Sequence, residues 1–143
     1  MYVSEVMTKG VECVGLDTSI QDAAEVMKTH DVGALPVCHA DRLIGMLTDR
    51  DITVRSVSFG HDCRIERVRD AMTPEIVYCF DDQEVEAAAR IMEEHQIRRL
   101  PVLNRARRLV GIVSLGDLAL ETGDARLVGS ALEQISEPSA PQR

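Results

Sequence analysis

The chain has 143 residues, 45% hydrophobic and 28% charged, with a formal net charge of −8, two Phe, two Tyr and no Trp. That is a globular composition with room for one ordinary domain or two very small ones. An acidic chain almost without aromatic rings is a poor partner for a phosphate backbone or for stacked single-stranded bases, so nucleic acid is excluded as the expected ligand.

In chain order, "VECVGL" (11–16) is rich in β-branched and apolar residues and predicts a strand. The Asp-containing stretch after it predicts a helix start. Ile20, Ala23, Ala24 and Met27 then fall at i, i+3, i+4 and i+7, an apolar helix face that runs to His30. "ALPVCH" and "RLIGML", joined by a polar turn at Ala40-Asp41, predict a hairpin. A further helix follows. The order then starts again: "IVYCF" (76–80) as a strand, Val85, Ala88, Ala89 and Met92 as a helix face ending near His95, and "RLPVL" with "RLVGIV" as a hairpin around 104–107.

A shift of 65 positions superimposes the halves. "VSEVMT" (3–8) meets "VRDAMT" (68–73), "IQDAAEVMKTH" (20–30) meets "VEAAARIMEEH" (85–95), and "RLIGMLTDRDI" (42–52) meets "RLVGIVSLGDL" (108–118) after a one-residue insertion. Internal repetition on this scale predicts two copies of one βαββα unit in an α+β fold. In each copy the crossover helix makes the first two strands parallel and the third antiparallel to the second. A unit of about 60 residues is marginal alone, so the copies are expected to pack pseudo-symmetrically through their sheets, with ligand space between them. The expected boundaries are 1–62, 63–123, a C-terminal helix over 124–135 and a flexible tail over 136–143. That helix carries Leu127, Val128, Ala131, Leu132 and Ile135 at helical spacing, and it either closes the module or meets a second subunit.

Each third strand ends in a hydroxyl followed three positions later by an acid, Thr48 with Asp51 and Ser114 with Asp117. This spacing makes a capping box. It also makes a ligand site, because a helix N-terminus attracts phosphate and a nearby Asp accepts both hydroxyls of a ribose diol. The two readings are compatible.

The paired repeats, the strands "GALPV" and "RRLPV", and "GMLTDRD" with "GIVSLGD" resemble the cystathionine β-synthase (CBS) domain, present twice as a Bateman module over about residues 1–122. With no attached enzyme or transporter, the chain is similar to the stand-alone bacterial tandem-CBS proteins. The resemblance implies a non-catalytic regulatory module, usually a homodimer, that binds AMP, ADP, ATP, NAD or S-adenosylmethionine and has no obligatory cofactor. It further implies that Thr48 and Asp51 face Val77, Arg98 and Arg99 in one cleft, while Ser114 and Asp117 face Glu12, Gly33 and Ala34 in the other.

The copies differ where "HDVGALPV" (30–37) becomes "HQIRRLPV" (95–102), Gly33-Ala34 giving way to Arg98-Arg99. A guanidinium fork matches phosphate oxygens, so tighter binding is expected at the Thr48–Asp51 cleft. The structural alternative pairs Arg98 and Arg99 with Glu93 or Glu94. His30 and His95 complement the negative end of a helix dipole, and Met7, Met27, Met72 and Met92 are core fillers.

Cys13, Cys38, Cys63 and Cys79 lack zinc-site spacing, and no metal is expected, although "CHAD" (38–41) and "HDC" (61–63) supply ligand types. The crossover makes the strands of Cys13 and Cys38 neighbours. A Cys13–Cys38 disulfide is therefore kept beside the alternative of two reduced thiols. No paired acid and base, activated nucleophile or metal triad points to an enzyme. With no signal peptide or apolar run of about 18 residues, a cytoplasmic location is expected. The competing function is a structural, redox-responsive or metal-responsive interaction protein that binds no nucleotide.

Overall fold

A computed structural model of the chain describes residues 1–40, 42–74 and 76–138. The order is α1 (Val3–Val6), α2 (Ile20–His30), β1 (Ala34–His39), β2 (Arg42–Thr48), α3 (Asp49–Asp51), a π-helix (Ile52–Ser56), a 3-10 turn (Val57–Phe59) and α4 (Val68–Ala71). Then follow β3 (Cys79–Phe80), α5 (Val85–His95), β4 (Arg99–Leu103), β5 (Leu109–Ser114), α6 (Leu115–Thr122) and α7 (Ala125–Ser136). Mixed α+β content and a C-terminal helix match the expectation. The single-turn helices α1 and α4 do not appear in the sequence reading.

The chain divides into two compact units, 11–76 and 1–10 with 77–143. These cut across the sequence repeats expected over 1–62 and 63–123. Backbone hydrogen bonds give the reason. Val3 N donates to Gln83 O (2.8 Å), Ser4 N to Asp81 O (3.0 Å), and Thr8 exchanges both bonds with Ile112, so "VSEVMT" completes the second repeat. Likewise Val68 N donates to Thr18 O (2.8 Å), Arg69 N to Leu16 O (3.1 Å), and Thr73 exchanges both bonds with Met46, so "VRDAMT" completes the first. Each copy's leading segment thus serves the other copy's sheet.

In the 11–76 unit, β1 and β2 are antiparallel, with Ala34 opposite Thr48 and Leu35 opposite Leu47. The helix α2 starts at Ser19, whose Oγ accepts from Asp22 N, and ends at Asp31, a left-handed residue with φ 52°. Ile20, Ala23 and Met27 bury its apolar face against Leu35, Val37, Leu47, Val68 and Ala71. Full burial of each Ile, Leu, Val or Met side chain contributes about 1.5–3 kcal/mol.

The strand expected over 11–16 shrinks to one parallel bridge, Val14 to Val37. Val14 N donates to Pro36 O (3.0 Å) and Cys38 N donates to Val14 O (2.9 Å). The next rung towards the N-terminus needs an N–H from residue 36, and proline has none. The same logic applies at Pro101 in the second copy, where β3 begins only at Cys79, opposite Val102. Pro36 and Pro101, the shared residue of the two "LPV" phrases, delay pairing of the first strand in both copies.

In the unit of 1–10 and 77–143, β3, β4 and β5 form one sheet, β3 parallel and β5 antiparallel to β4. Its core joins Val85, Ala88, Ala89 and Met92 of α5 to Leu100, Val102, Val113 and Leu118. Into the same core α7 inserts Ala131 and Ile135. It is capped by Asp124, whose Oδ1 accepts from Leu127 N (3.0 Å), and it packs along α5. Gln96 Nε2, at the end of α5, donates to Gln134 O (3.3 Å) and Glu137 O (2.6 Å). Within its own unit the C-terminal helix packs on α5 and the core beneath it. The expected tail begins within the last residues of this helix, and from 139 onward it lies outside the described residues.

Met27 and Met92 are buried, and Met7 and Met72 pack on the two cores, as expected for fillers. His30 and His95 are the last residues of α2 and α5. Among the described residues no helix is long and apolar enough to cross a membrane.

Candidate functional site

The site is built on the ends of β2 and β5. In the 11–76 unit the extended backbone of Thr48 (φ −111°, ψ 161°) meets α3, and two bonds close the junction. Asp51 N donates to Thr48 Oγ1 (3.0 Å), and Thr48 N donates to Asp51 Oδ2 (3.0 Å). The other unit repeats this to within a tenth of an ångström: Asp117 N to Ser114 Oγ is 3.0 Å and Ser114 N to Asp117 Oδ2 is 2.9 Å. All four residues are half-buried. Both capping boxes read from the sequence therefore form.

Each cap engages only Oδ2 of its aspartate through a side-chain hydrogen bond among the described residues. The carboxylate is held in place by the cap, so a diol would meet it without first ordering a loose side chain. Such pre-organisation lowers the entropy lost on binding.

The two junctions are tied back to the preceding strands in the same way. Asp49 N donates to Gly33 O (2.9 Å), and Leu115 N donates to Arg98 O (2.8 Å). Ala34 pairs with Thr48, and Arg99 pairs with Ser114. The backbone thus sets Gly33 and Ala34 beside Thr48–Asp51, and Arg98 and Arg99 beside Ser114–Asp117. Thr48 and Asp51 fall in one compact unit and Val77, Arg98 and Arg99 in the other. Similarly, Ser114 and Asp117 fall in one unit and Glu12, Gly33 and Ala34 in the other. Val77 packs on the core of its unit, Glu12 is exposed, and Ala34 is buried.

Arg98 and Arg99 are exposed, and among the described residues neither makes an ion pair with Glu93, Glu94 or any other acid. Neighbouring cations are engaged. Arg105 Nε donates to both oxygens of Asp82 (3.1 and 2.9 Å) and its guanidinium lies 4.0 Å above the Phe80 ring. That bond holds the Asp82 carboxyl below the usual carboxylate range. Arg107 Nη1 donates to the Tyr78 hydroxyl (3.4 Å), and Tyr78 meets Phe80 edge-on at 5.5 Å. The sequence shows this basic stretch but not which of its members are already satisfied.

In the 11–76 unit a π-helix follows Asp51 directly, and Arg55 Nη1 pins it by donating to Ala71 O (3.2 Å) and Met72 O (2.9 Å). Its Ser56 is fully buried. A cavity of about 490 Å³ is lined by His61, Asp62, Ile65, Glu66 and Asp70. His61 Nδ1 is paired with the Glu66 carboxylate there. The His of "HDC" thus already contacts a carboxylate, and among the described residues no group of three or more His, Cys, Asp and Glu is placed to hold a metal ion. No sequence signal announced the π-helix.

The Sγ atoms of Cys13 and Cys38 lie 2.8 Å apart. The predicted neighbourhood of their strands is realised. Cys79 is buried, and burial pushes its thiol pKa up to about 12.

The CBS domain model matches residues 3–57 and 68–122. The chain is 44% identical over 134 residues to the CBS domain-containing protein YhcV of Bacillus subtilis, covering 94% of each. It is 41% identical over 137 residues to hypoxic response protein 1 of Mycobacterium tuberculosis, covering 95% of this chain and 94% of that one. A crystal structure of hypoxic response protein I with two coordinated zinc ions superimposes with a TM-score of 0.77 at 39% identity, over 85% of this chain and 98% of the other. The CBS domain pair of protein MJ0100, in complex with 5'-methylthioadenosine and S-adenosyl-L-methionine, gives a TM-score of 0.74 at 25% identity, over 86% and 96%. Two matched copies that fill most of the chain, each ending its third strand in the same hydroxyl–Asp cap, place this protein in the CBS domain family, as a CBS-pair regulatory module.

Proposed function

We propose that the chain is a non-catalytic sensor that binds an adenosine-containing ligand, AMP, ADP, ATP, NAD or S-adenosylmethionine, and passes energy or redox state to a protein it regulates. The observation that carries this reading is the duplicated cap, in which Asp51 and Asp117 are each fixed through Oδ2. The MJ0100 pair, of the same fold, is described with two adenosine-containing ligands. In the proposed assignment Thr48 and Asp51 hold the ribose, Val77 meets the base, and Arg98 and Arg99 neutralise the phosphates. Ser114 and Asp117, with Glu12, Gly33 and Ala34, form the weaker site, since it carries an acid where the first carries two arginines.

The strand register favours a second assignment. Arg99 pairs with Ser114 and the Arg98 carbonyl holds the first amide of α6, so both arginines belong to the unit of Ser114 and Asp117. There Asp117 would be the ribose group of the phosphate-binding site. The two assignments differ in which aspartate the arginines couple to.

Thermal melting with the five ligands tests the function. A ligand at about 100 times its Kd adds roughly 2.7 kcal/mol of stability. No shift at millimolar concentration with any of them would sink the nucleotide reading and favour an interaction protein without a nucleotide. The proposed homodimer is tested by sedimentation of the same material.

A further inference from the structure

We propose that the cavity beside α4 in the 11–76 unit is a binding site for an alkylguanidinium group, with Glu66 as its anchor. The cavity holds about 490 Å³; Asp62, Glu66 and Asp70 line it with carboxylates, and His61 and Ile65 complete the described wall. A cluster of acids by itself is only a solvated surface. Glu66 makes this one different. Its side chain is 8% exposed, its Oε2 pairs with His61 Nδ1, and its Oε1 is buried with no hydrogen-bond donor among the described residues. Leaving a buried acceptor without a donor costs more than an ordinary hydrogen bond contributes, so the carboxylate calls for a donor brought from outside.

The cations of the same segment are turned elsewhere. Arg69 Nη2 donates to Asp17 Oδ1 (2.6 Å) and Arg67 Nη1 to Asp17 O (3.2 Å), while Arg64 donates to both oxygens of Asp62 (3.2 and 3.0 Å). Those bonds from Arg64 hold the Asp62 carboxyl below the usual carboxylate range, so it is an anion at neutral pH. Asp70 Oδ2 accepts from Arg67 N (3.0 Å) in the cap of α4. The anchor is fixed before any ligand arrives. Glu66 O accepts from Ile20 N and Cys63 O from Gln21 N, both at 3.0 Å, which ties the segment to the first turn of α2. The Phe59 ring stacks on His61 at 5.8 Å and holds the imidazole in place.

The acceptors select the class of cation. A divalent metal ion needs several donors converging within about 2.6 Å, and among the described residues no group of three or more is so placed. A primary ammonium is a compact, strongly hydrated charge that loses much on entering a half-buried site. A guanidinium is weakly hydrated and spreads five N–H donors around a plane, so it can serve separated carboxylates at once. Ile65, 70% exposed, gives its alkyl chain an apolar wall. The volume is that of a small-molecule site rather than of a bare ion.

The test is a heteronuclear NMR titration of the full chain with butylguanidinium at constant ionic strength. Saturable shifts are expected at the amides of His61, Asp62, Glu66 and Asp70. Tetramethylammonium, a cation with no N–H to donate, should bind at least about tenfold more weakly. Glu66→Gln removes the anchoring charge and should weaken the probe by a similar factor. Ile65→Arg changes an exposed position, leaves every carboxylate intact and supplies a guanidinium from the chain itself, so it should exclude the probe even if Glu66→Gln does not fold. A capped Gly-Arg-Gly peptide that binds as well as butylguanidinium identifies the source as a partner's arginine; a much weaker one identifies a free small molecule. No saturable shift by about 20 mM probe, equal shifts with tetramethylammonium, unchanged binding in Ile65→Arg, or zinc saturating the same amides at lower concentration would each overturn the proposal. No nucleotide enters the assay, so its failure is distinct from failure of the sensor reading.

Discussion

Replacing Asp51 by asparagine and by alanine separates the cap from the ligand. In the native protein Asp51 Oδ2 accepts from Thr48 N at 3.0 Å. Alanine removes that acceptor and leaves a half-buried amide without a partner, a loss of about 1 kcal/mol, or roughly 3 °C in Tm for a chain of this size. Asparagine keeps an amide oxygen for Thr48 N and gives up only the charge, so its unliganded Tm is expected within about 1–2 °C of wild type. The ligand responds differently. Two ribose hydroxyls bound to a carboxylate are worth about 1.5–3 kcal/mol each, so either substitution weakens binding by at least about 100-fold.

At a concentration of about 100 times the wild-type Kd, stabilisation falls from roughly 2.7 to about 0.4 kcal/mol. In scanning calorimetry that is a ligand-induced rise of about 8 °C reduced to about 1 °C. Asp51→Asn that melts like wild type and still shows the full shift would refute the ribose assignment. If instead Asp117→Asn abolishes the shift and couples to Arg98→Ala in a double-mutant cycle, the arginines serve the Ser114–Asp117 site.

Two further outcomes follow from packing and titration. In Gly111→Ala a Cβ would lie 2.7 Å from Thr8 O and 2.8 Å from Met7 Sδ, pushing "VSEVMT" away from β5. A loss of about 2–3 kcal/mol is expected, with faster hydrogen exchange at the Thr8 and Ile112 amides; unchanged exchange would contradict the close approach. Cys79 ionises near pH 9 when unfolded but near 12 when folded, so the native state retains a proton that the unfolded state loses. Stability then falls by up to about 1.4 kcal/mol per pH unit above pH 9, and Cys79→Val, which copies Val14, should flatten that decline in denaturant titrations.

Much of this protein was legible in local patterns. The helices from Ile20 and Val85, the two hairpins and the hydroxyl–Asp caps each depend on residues a few positions apart, so spacing alone predicts them. The repeat supplied the second copy, and the contrast between Gly33-Ala34 and Arg98-Arg99 was visible at once. Long-range geometry was not. Nothing local in "VSEVMT" says that it pairs with Ile112 rather than with its own repeat, because the same residues suit either sheet and only the route of the chain decides. The proline of each "LPV" phrase marked a strand, but its missing N–H shortened a different one, 22 residues upstream in each copy. Tertiary packing likewise decided the seat of α7 on α5. The backbone register set Arg99 beside Ser114, and the Val14–Val37 bridge brought Cys13 and Cys38 together; in each case the partner is far away in sequence and is chosen by where the sheet brings it.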